Sequence, residues 1–298
     1  MTAGVCQWVF NALLTRGEMD MFDCIQFVGT QTEADCFEPL ARYWAEEEDV
    51  QEQARRARDL LDEVGLRVSC YSLESDFAVY DQDQFEETVA TCVLHLDTAE
   101  VLGTRVIRLD PRSSLPPDRA ERPDLDFILE RVCAGMQEIA DVAADRGITV
   151  GVENHGLLLG RSAQVRRMVE LVERPNFGVN IDFTNFRHVF GEDHIEATRL
   201  LAPFVVHCHA KDFCIRTQEP PYAEAEGWRK TPAEEWIRPC VGGEGDMQWP
   251  LLFSIVRAAG FDGNVSLEIS LPADIHGSVR QGVANLKRIL AQVQAEGQ

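Results

Sequence analysis

Three ionisable residues alternate with small apolar ones in the stretch FVVHCHAKDF, residues 204–213. His207, His209 and Lys211 occupy every second position of this stretch. Because successive side chains of a β-strand point to opposite faces, these three side chains would share one face. A buried strand tolerates such a face only where its polar groups are paired, bind a metal or line a cavity. The stretch therefore predicts a strand with one packed face and one face suited to chemistry.

Carboxylates occupy comparable positions in three other apolar stretches. Glu153 lies in ITVGVENHG (148–156), Asp182 in FGVNIDFTNF (177–186) and Glu268 in NVSLEIS (264–270). Two glutamates, one aspartate and one histidine make an oxygen-rich donor set, which suits Mn²⁺, Mg²⁺ or Co²⁺ with open coordination positions. Zn²⁺ is also compatible with these donors. We therefore expect one divalent metal ion.

The elements that must position these residues follow a regular alternation of β-rich runs and amphipathic segments of helix length. Eight runs are predicted as strands, beginning near residues 4 (GVCQWVF), 22 (FDCIQFVG), 65 (GLRVSCYSL), 104 (TRVIRLD), 148, 177, 204 and 264. The clearest helices are predicted over 48–64, 83–102, 124–146, 162–173 and 274–295. Strand–helix alternation favours parallel strands with right-handed crossovers, and eight such units close a (β/α)8 TIM barrel. We predict an α/β fold, one TIM-barrel domain over residues 1–298, with its chemistry at the C-terminal ends of the strands.

One segment interrupts this alternation. Residues 214–247 follow the predicted seventh strand and contain GWRKTPAEEW with no obvious helix. Long connections of this kind are often lids over a site, so we expect this insertion to cover the pocket and to select the substrate. Arg216, at its start, is a candidate for binding a substrate phosphate or carboxylate, although solvated charge is the usual state of a loop arginine.

Five short fragments, in this order along the chain, resemble the xylose-isomerase-like sugar isomerase/epimerase superfamily over essentially its whole length. They are VENHG, NIDFTNF, HAKDF, VGGEGDMQW and GNVSLEIS. The resemblance implies that Glu153, Asp182, His209 and Glu268 are the metal ligands. It also implies that Glu153 and Glu268 are the acid and base catalysts on opposite faces of the substrate.

Two positions depart from what the resemblance leads us to expect. Some ketose epimerases have a histidine three residues after the aspartate of the sixth strand, where this chain has Asn185. The second strand usually ends with an inward glutamate, whereas the predicted second strand offers Gln26. These departures leave the substrate and the exact reaction open.

Further polar and aromatic residues near the strand ends are expected to contact the substrate: His155, Asn185, His207, Lys211, Arg108, Arg216 and Trp8. Several have alternatives. His207 could orient a metal ligand from behind. Lys211 could pair with Asp212 or with a residue of a neighbouring strand, and Arg108 could pair with Asp110. Trp8 could pack in the core instead of stacking on a sugar.

The function implied by the resemblance is a metal-dependent isomerase or epimerase that acts on a keto-sugar or related polyol. Such a reaction removes a proton beside a carbonyl, and a metal stabilises the enediolate as a Lewis acid. A lyase or dehydratase that eliminates a group β to a carbonyl is the alternative, because it would use the same metal and base. An apurinic-site endonuclease of the same superfamily would need a basic groove and a histidine-rich zinc cluster, whereas this chain has seven histidines and a net charge of −22.

The bulk composition restricts the partners. A charge of −22 repels phosphate backbones, so we expect no nucleic-acid partner. We also expect no membrane association, since no apolar run approaches about 18 residues. Nine cysteines without a CxxC pair, and an N-terminus without a basic region before its apolar part, favour a reduced, cytoplasmic protein. The expected partners are a small carbohydrate and further copies of the chain in a homo-oligomer.

Overall fold

The computed structural model describes residues 1–111, 124–268 and 273–296. The last two residues of the GNVSLEIS fragment, 269 and 270, lie outside this part. The strands are β1 (Thr2–Cys6), β2 (Cys36–Glu38), β3 (Arg67–Val68), β4 (Tyr71–Leu73), β5 (Val106–Leu109), β6 (Thr149–Glu153), β7 (Phe177–Asp182), β8 (Val205–Ala210), β9 (Phe213–Arg216), β10 (Arg229–Lys230), β11 (Trp236–Pro239) and β12 (Asn264–Leu267). The α-helices are α1 (Asn11–Thr15), α2 (Met21–Gln31), α3 (Val50–Glu63), α4 (Gln82–Leu102), α5 (Leu125–Asp145), α6 (Ser162–Val172), α7 (Phe183–Phe190), α8 (His194–Leu201), α9 (Trp249–Ala258) and α10 (Ile275–Glu296).

Nine of the strands form one parallel sheet in the order β3-β2-β1-β12-β8-β7-β6-β5-β4. The two outermost strands, β3 and β4, are pieces of one barrel strand, because β3 pairs with β2 while β4 pairs with β5. The backbone N–H of Ser72 donates to the carbonyl of Pro39 at 3.0 Å and draws β4 towards the end of β2. Eight barrel strands therefore close on themselves, and the predicted single-domain TIM barrel is confirmed.

The five predicted helices are present as α3, α4, α5, α6 and α10, each within two residues of its predicted ends. Their apolar faces pack against the outward side chains of the strands, such as Val150 and Val152 of β6, which are fully buried. The alternate residues of the same strand, Gly151 and Glu153, point into the barrel. This alternation leaves the polar side chains at the C-terminal ends of the strands facing a common interior.

The prediction of the second strand is wrong. FDCIQFVG belongs to the helix α2, and the barrel strand that follows is the three-residue β2. Asp20 begins the helix with a capping box, in which its side chain accepts from the N–H of Asp23 at 2.9 Å and the Asp23 side chain accepts in return at 3.1 Å. The buried side chains of α2 recur with a helical period. In an apolar run as short as this one, periodicity does not distinguish a helix from a strand.

This correction changes the residue at the end of the second strand. Gln26 lies on the exposed face of α2 and does not approach the barrel interior. The strand β2 ends instead in Glu38, whose side chain is completely buried. The chain therefore does carry an inward glutamate at this position, and the expected departure disappears.

The insertion that follows β8 has regular structure of its own. Strands β9, β11 and β10 form a small antiparallel sheet in the order β10-β11-β9. Asp212 anchors the two ends of this insertion, because its carboxylate accepts N–H groups from Phe213 at 2.9 Å, Gly243 at 2.9 Å, Gly245 at 2.8 Å and Met247 at 3.2 Å. Asp212 thus ties the start of the insertion to its end beside the barrel mouth. Across the described residues, no helix combines the length and apolar character that a membrane span requires.

Candidate functional site

The C-terminal ends of four neighbouring barrel strands bring together Glu153, Asp182, His209 and Glu268. One ligand atom from each of these side chains lies within 4.8 Å of the other three. They come from β6, β7, β8 and the end of β12, which are adjacent in the sheet. All four side chains are nearly or completely buried. We refer to them as the four-ligand cluster.

His209 lies at the centre of this cluster. Its Nδ1 is 2.6 Å from Oε2 of Glu268 and 3.3 Å from Oε1 of Glu153, while its Nε2 is 2.8 Å from Oε1 of Glu38. Burial alone would lower the pKa of His209, but the charges of Glu38, Glu268 and Glu153 raise it well above its ordinary value of 6.5. In the absence of a metal ion, the imidazole is therefore protonated and acts as a cation among the carboxylates.

Two further cations neutralise the cluster. Nε of Arg108 donates to Oε2 of Glu153 at 2.6 Å, and Nζ of Lys211 lies 2.6 Å from Oδ2 of Asp182 and 3.2 Å from Oε1 of Glu268. Burial raises the pKa of both glutamates, but Arg108 with His209 lowers that of Glu153, and Lys211 with His209 lowers that of Glu268, in each case below 4.5. Both glutamates are therefore ionised near neutral pH.

The buried oxygens of the cluster are well placed for a divalent cation. Oδ2 of Asp182 and Oε2 of Glu268 accept no hydrogen bond of normal geometry from any described residue, although each has a nitrogen only 2.6 Å away. Buried oxygens without a well-directed partner are costly to a fold. A hard cation among these carboxylates would satisfy both atoms, so the residues present fit the metal site that was predicted.

Two other groupings within the barrel share Glu38: Cys6 with His209, and Cys70 with His207. Burial, reinforced by the charge of Glu38, raises the pKa of both thiols well above the ordinary 9.0. The thiolate is the form that binds metals, so neither cysteine is a good ligand at neutral pH. The four-ligand cluster is accordingly the better candidate.

A cavity of about 280 Å³ opens directly above the cluster, and we call it the inner cavity. Its walls are formed by Cys6, Trp8, Leu40, Arg42, Ser72, Glu74, Arg108, Asp110, Glu153, His155, His209, Lys211 and Glu268. A second space of about 420 Å³, the outer cavity, lies nearer the insertion. Its walls are Trp8, His155, Gly156, Leu157, Asn185, His188, Val189, Lys211, Phe213, Arg229, Pro239 and Glu268. The two cavities share four residues and form one continuous cleft.

Five of the predicted substrate-binding residues line this cleft. Trp8 and His155 reach both cavities, Arg108 the inner one and Asn185 the outer one. Lys211 also reaches both cavities, and it pairs with Asp182 and Glu268 of the two neighbouring strands, which agrees with the alternative of an ion pair to a neighbouring strand. Arg108 binds Glu153 in addition to its weaker contact with Asp110, at 3.5 Å.

Two predicted substrate-binding residues lie elsewhere. His207 is completely buried behind the cluster, where its Nε2 is 2.9 Å from Oε2 of Glu38, and it lines neither cavity. This position agrees with the alternative of an orienting role. Arg216 also lines neither cavity; its side chain is 59% exposed and lies 4.0 Å from Asp246. The expectation that these two residues contact the substrate therefore does not agree with their positions.

Sequence reasoning did not find Glu38. This carboxylate accepts from Oγ of Ser72 at 2.6 Å and bridges the two histidines of β8. Burial raises its pKa, but His209 and His207 lower it well below 4.5. The only available signal was the three-residue run CFE before Pro39, which is too short for a period to be recognised.

The model of the xylose isomerase-like TIM barrel family matches residues 22–289. The chain belongs to this family. The resemblance predicted from its five fragments is thereby confirmed. The uncharacterized protein YfiH of Bacillus subtilis (strain 168) is 32% identical over 126 residues, and the match spans 40% of this chain and 39% of that protein.

Solved structures with the same fold are only distantly related in sequence. An L-ribulose 3-epimerase is 17% identical, with a TM-score of 0.71, over 99% of this chain and 96% of its own. The IolI protein with a bound zinc atom is 14% identical, with a TM-score of 0.72, over 98% and 99%. The probable 3-DHS dehydratase AsbF of Bacillus anthracis is 19% identical, with a TM-score of 0.69, over 96% and 98%. At these identities the likeness shows the fold that the chain shares with them.

Proposed function

We propose that this protein is a divalent-metal-dependent isomerase or epimerase that acts on a keto-sugar or related polyol. The observation that carries the proposal is the placement of two ionised carboxylates, Glu153 and Glu268, on the wall of one small cavity. They stand at the two ends of the four-ligand cluster, with Asp182 and His209 on the strands between them. A substrate in this cavity would be flanked by a carboxylate on each side. The same fold in an L-ribulose 3-epimerase is consistent with this reaction class.

The chain's own residues define the proton transfers. When bound, a divalent ion supplies Lewis-acid stabilisation of negative charge that develops on a substrate carbonyl oxygen, and Mn²⁺, Mg²⁺ and Co²⁺ suit these donors best. One of the two glutamates, as a carboxylate, removes the proton beside that carbonyl. The other is also ionised in the free site, so it takes up a proton from solvent before it donates that proton to the opposite face of the carbon. Arg108 holds Glu153 in place through its 2.6 Å hydrogen bond. Lys211, which also lines the cavity, provides a positive charge close to Glu268.

A dehydratase is the second candidate, because one further pair of residues suits elimination. Nδ1 of His155 lies 2.8 Å from Oδ2 of Asp110, and the histidine side chain is 40% exposed at the cavity wall. A histidine oriented by a carboxylate is a common proton donor or acceptor, and this one is outside the four-ligand cluster. It could protonate a leaving hydroxyl after the same first proton abstraction.

Solvent-deuterium exchange at the substrate carbon tests the main proposal. With metal content confirmed, Glu153→Gln and Glu268→Gln should each slow exchange into a reactive ketose by roughly 10²–10⁴-fold, since each removes one proton-transfer group. Glu170→Gln, on the surface of α6, is the matched control and should exchange at the parent rate. If both cluster variants also exchange at the parent rate, neither glutamate is the base. A product that has lost water relative to the substrate, detected by NMR, would select the dehydratase instead.

The cellular setting remains a prediction. All nine cysteines are free thiols, as we would expect in a reducing compartment, and we propose a cytoplasmic location. We also retain the expectations of a homo-oligomer and of an insertion that acts as a lid.

A further inference from the structure

The small sheet of the insertion turns one of its two faces towards the outer cavity. In its register, Ile237 lies opposite both Arg229 and Ile215, and Pro239 lies opposite Phe213. Directly opposed residues of antiparallel strands point to the same side, as do residues two apart on one strand. These five side chains therefore share a face. Because Phe213, Arg229 and Pro239 all line the outer cavity, this is the face that looks into the cleft.

Arg216 belongs to the other face of the same sheet. It lies opposite Trp236, one residue out of step with Ile237. Its guanidinium is 5.7 Å from the ring centre of Trp228 and 4.0 Å from Asp246, on the outside of the insertion. The alternation of the strand thus excludes Arg216 from the cleft. The arginine that the insertion brings to the cleft is Arg229.

Arg229 has no acidic partner within residues 1–111, 124–268 and 273–296, where the structure assigns it no ion pair or side-chain hydrogen bond. Most described arginines are instead paired with an acid in this chain of 50 acidic and 28 basic residues. The only acid on the wall of the outer cavity is Glu268, and it is already paired with Lys211 and His209. This end of the cleft is therefore positively charged, in contrast to the inner cavity with its four carboxylates.

Two neighbours of Arg229 on the cavity wall add to this character. Asn185 is only 4% exposed, and its Nδ2 finds no acceptor in the described part of the chain, so a buried donor is left free. Burial, together with the charges of Arg229 and Lys211, lowers the pKa of His188 to about 4. His188 is consequently neutral at pH 7. The two cations that lower its pKa lie on the wall of the same outer cavity.

We infer that the outer cavity is a subsite for an anionic group, a phosphate or a carboxylate, carried by the keto-sugar away from its reacting carbon. A guanidinium binds either group through paired N–H donors, and the free amide of Asn185 offers a further donor. Arg229 is the specificity-determining residue of this subsite. The inference rests on the proposed function, because it assumes that the sugar's carbonyl end occupies the inner cavity.

Equilibrium binding to the metal-loaded protein tests this inference. The probes are D-fructose, D-fructose 6-phosphate and D-fructuronate, measured by calorimetry at low ionic strength. At least one anionic probe should bind 10-fold or more tightly than D-fructose, and the stronger of the two identifies the group as phosphate or carboxylate. Arg229→Gln should abolish this preference without changing the affinity for D-fructose. Arg229→Lys should restore part of it.

Arg216→Gln is the matched control, since it removes the same charge from the outer face of the same sheet. It should retain the full preference. The inference is overturned if no anionic probe binds more tightly than D-fructose, if Arg229→Gln keeps the preference, or if Arg216→Gln loses it equally. Because binding is measured without turnover, the preference can also be read in Glu153→Gln. If the deuterium-exchange test of the proposed function failed, the binding preference for anionic probes could still be measured and interpreted by itself.

Discussion

Nε2 of His209 lies 2.8 Å from Oε1 of Glu38, and this buried contact decides which nitrogen of the imidazole faces the metal ligands. Glu38 is completely buried and also receives the hydroxyl of Ser72 at 2.6 Å. With Nε2 held in this way, Nδ1 is directed at Glu153 and Glu268. Histidine ligands of metals commonly donate their other N–H to a carboxylate that fixes the ring and raises its basicity. We therefore expect His209 to bind a metal through Nδ1.

Replacement of Glu38 by glutamine should weaken metal binding without removing a ligand. The amide can still contact His209 but no longer provides a negative acceptor, so we expect the affinity to fall by about 10- to 100-fold. Competition with a chromophoric chelator measures this change. Cys70→Ala, beside Glu38, is the control and should bind metal like the parent, because its thiol stays protonated. Unchanged affinity in Glu38→Gln would show that the contact does not support the site.

Metal binding should release protons, because His209 must lose one to become a ligand. Its pKa in the metal-free fold is raised above 6.5, so this group stabilises the fold fully below about pH 6.5 and less as pH rises through the raised pKa. Metal affinity should change in the opposite direction and increase with pH. Glu153 and Glu268, with lowered pKa values, are already ionised at pH 7 and release none.

Calorimetric titration in two buffers of different ionisation enthalpy measures this release. At pH 7 we expect about one proton per bound ion. His209→Gln, which cannot carry the proton, should show weak binding with little release. An affinity that does not vary between pH 6 and pH 8 would contradict a protonated His209 in the metal-free protein.

Asp182 combines two roles that different substitutions can separate. Its carboxylate belongs to the four-ligand cluster, and Oδ2 lies 2.6 Å from Nζ of Lys211. Its Oδ1 accepts the N–H groups of Thr184 at 2.8 Å and Asn185 at 3.3 Å and caps the helix α7. Asp182→Asn keeps the capping oxygen but loses the charge, while Asp182→Ala loses both. Both variants should bind far less metal than the parent by elemental analysis.

The free energy of unfolding, measured in the presence of a chelator, then isolates the contribution of the helix cap. Both variants leave Lys211 without this partner, so their difference reports the capping oxygen, and we expect the alanine variant to be less stable by about 1 kcal/mol. Full metal content in both variants would exclude Asp182 from the site. Equal stabilities would mean that the cap contributes nothing measurable.

The parts of the site that the sequence predicted are those with a long periodic context. Glu153 and Asp182 end strands of five and six residues, and His209 is the last but one residue of the six-residue β8. In strands of this length, alternation identifies the inward face. Glu38 ends a strand of three residues, and its preceding helix α2 resembles a strand in composition, so neither element could be assigned from its period. Because the second strand was assigned to the wrong segment, Gln26 was compared with the inward glutamate that usually ends this strand, although Glu38 occupies that position.

The choice between Arg216 and Arg229 shows a different limit. The insertion was recognised from its position after β8, and Arg216 was named as its candidate for binding an anionic group of the substrate. Which arginine points inward depends on the pairing of three short strands, and a shift of one residue would exchange the two faces. That pairing is fixed by contacts distant in sequence, such as those of Asp212, which no local pattern reveals.

Asp212 should control how firmly the insertion is seated beside the cleft. Both of its oxygens accept backbone N–H groups, and Oδ2 alone receives those of Gly243 and Gly245. Asp212→Asn would present an NH₂ group to donors on one side, which leaves buried N–H groups without an acceptor at about 1–3 kcal/mol. We therefore expect the insertion to loosen, with faster proteolysis between residues 217 and 242 and a raised KM. Metal content should be unchanged, because Asp212 is not part of the four-ligand cluster.

Glu244→Gln, an exposed acid in the same turn, serves as the control and should be cleaved at the parent rate. If Asp212→Asn resists the protease as well as the parent, the anchor is dispensable. If it loses metal as well, the insertion supports the barrel itself and not only the substrate end of the cleft.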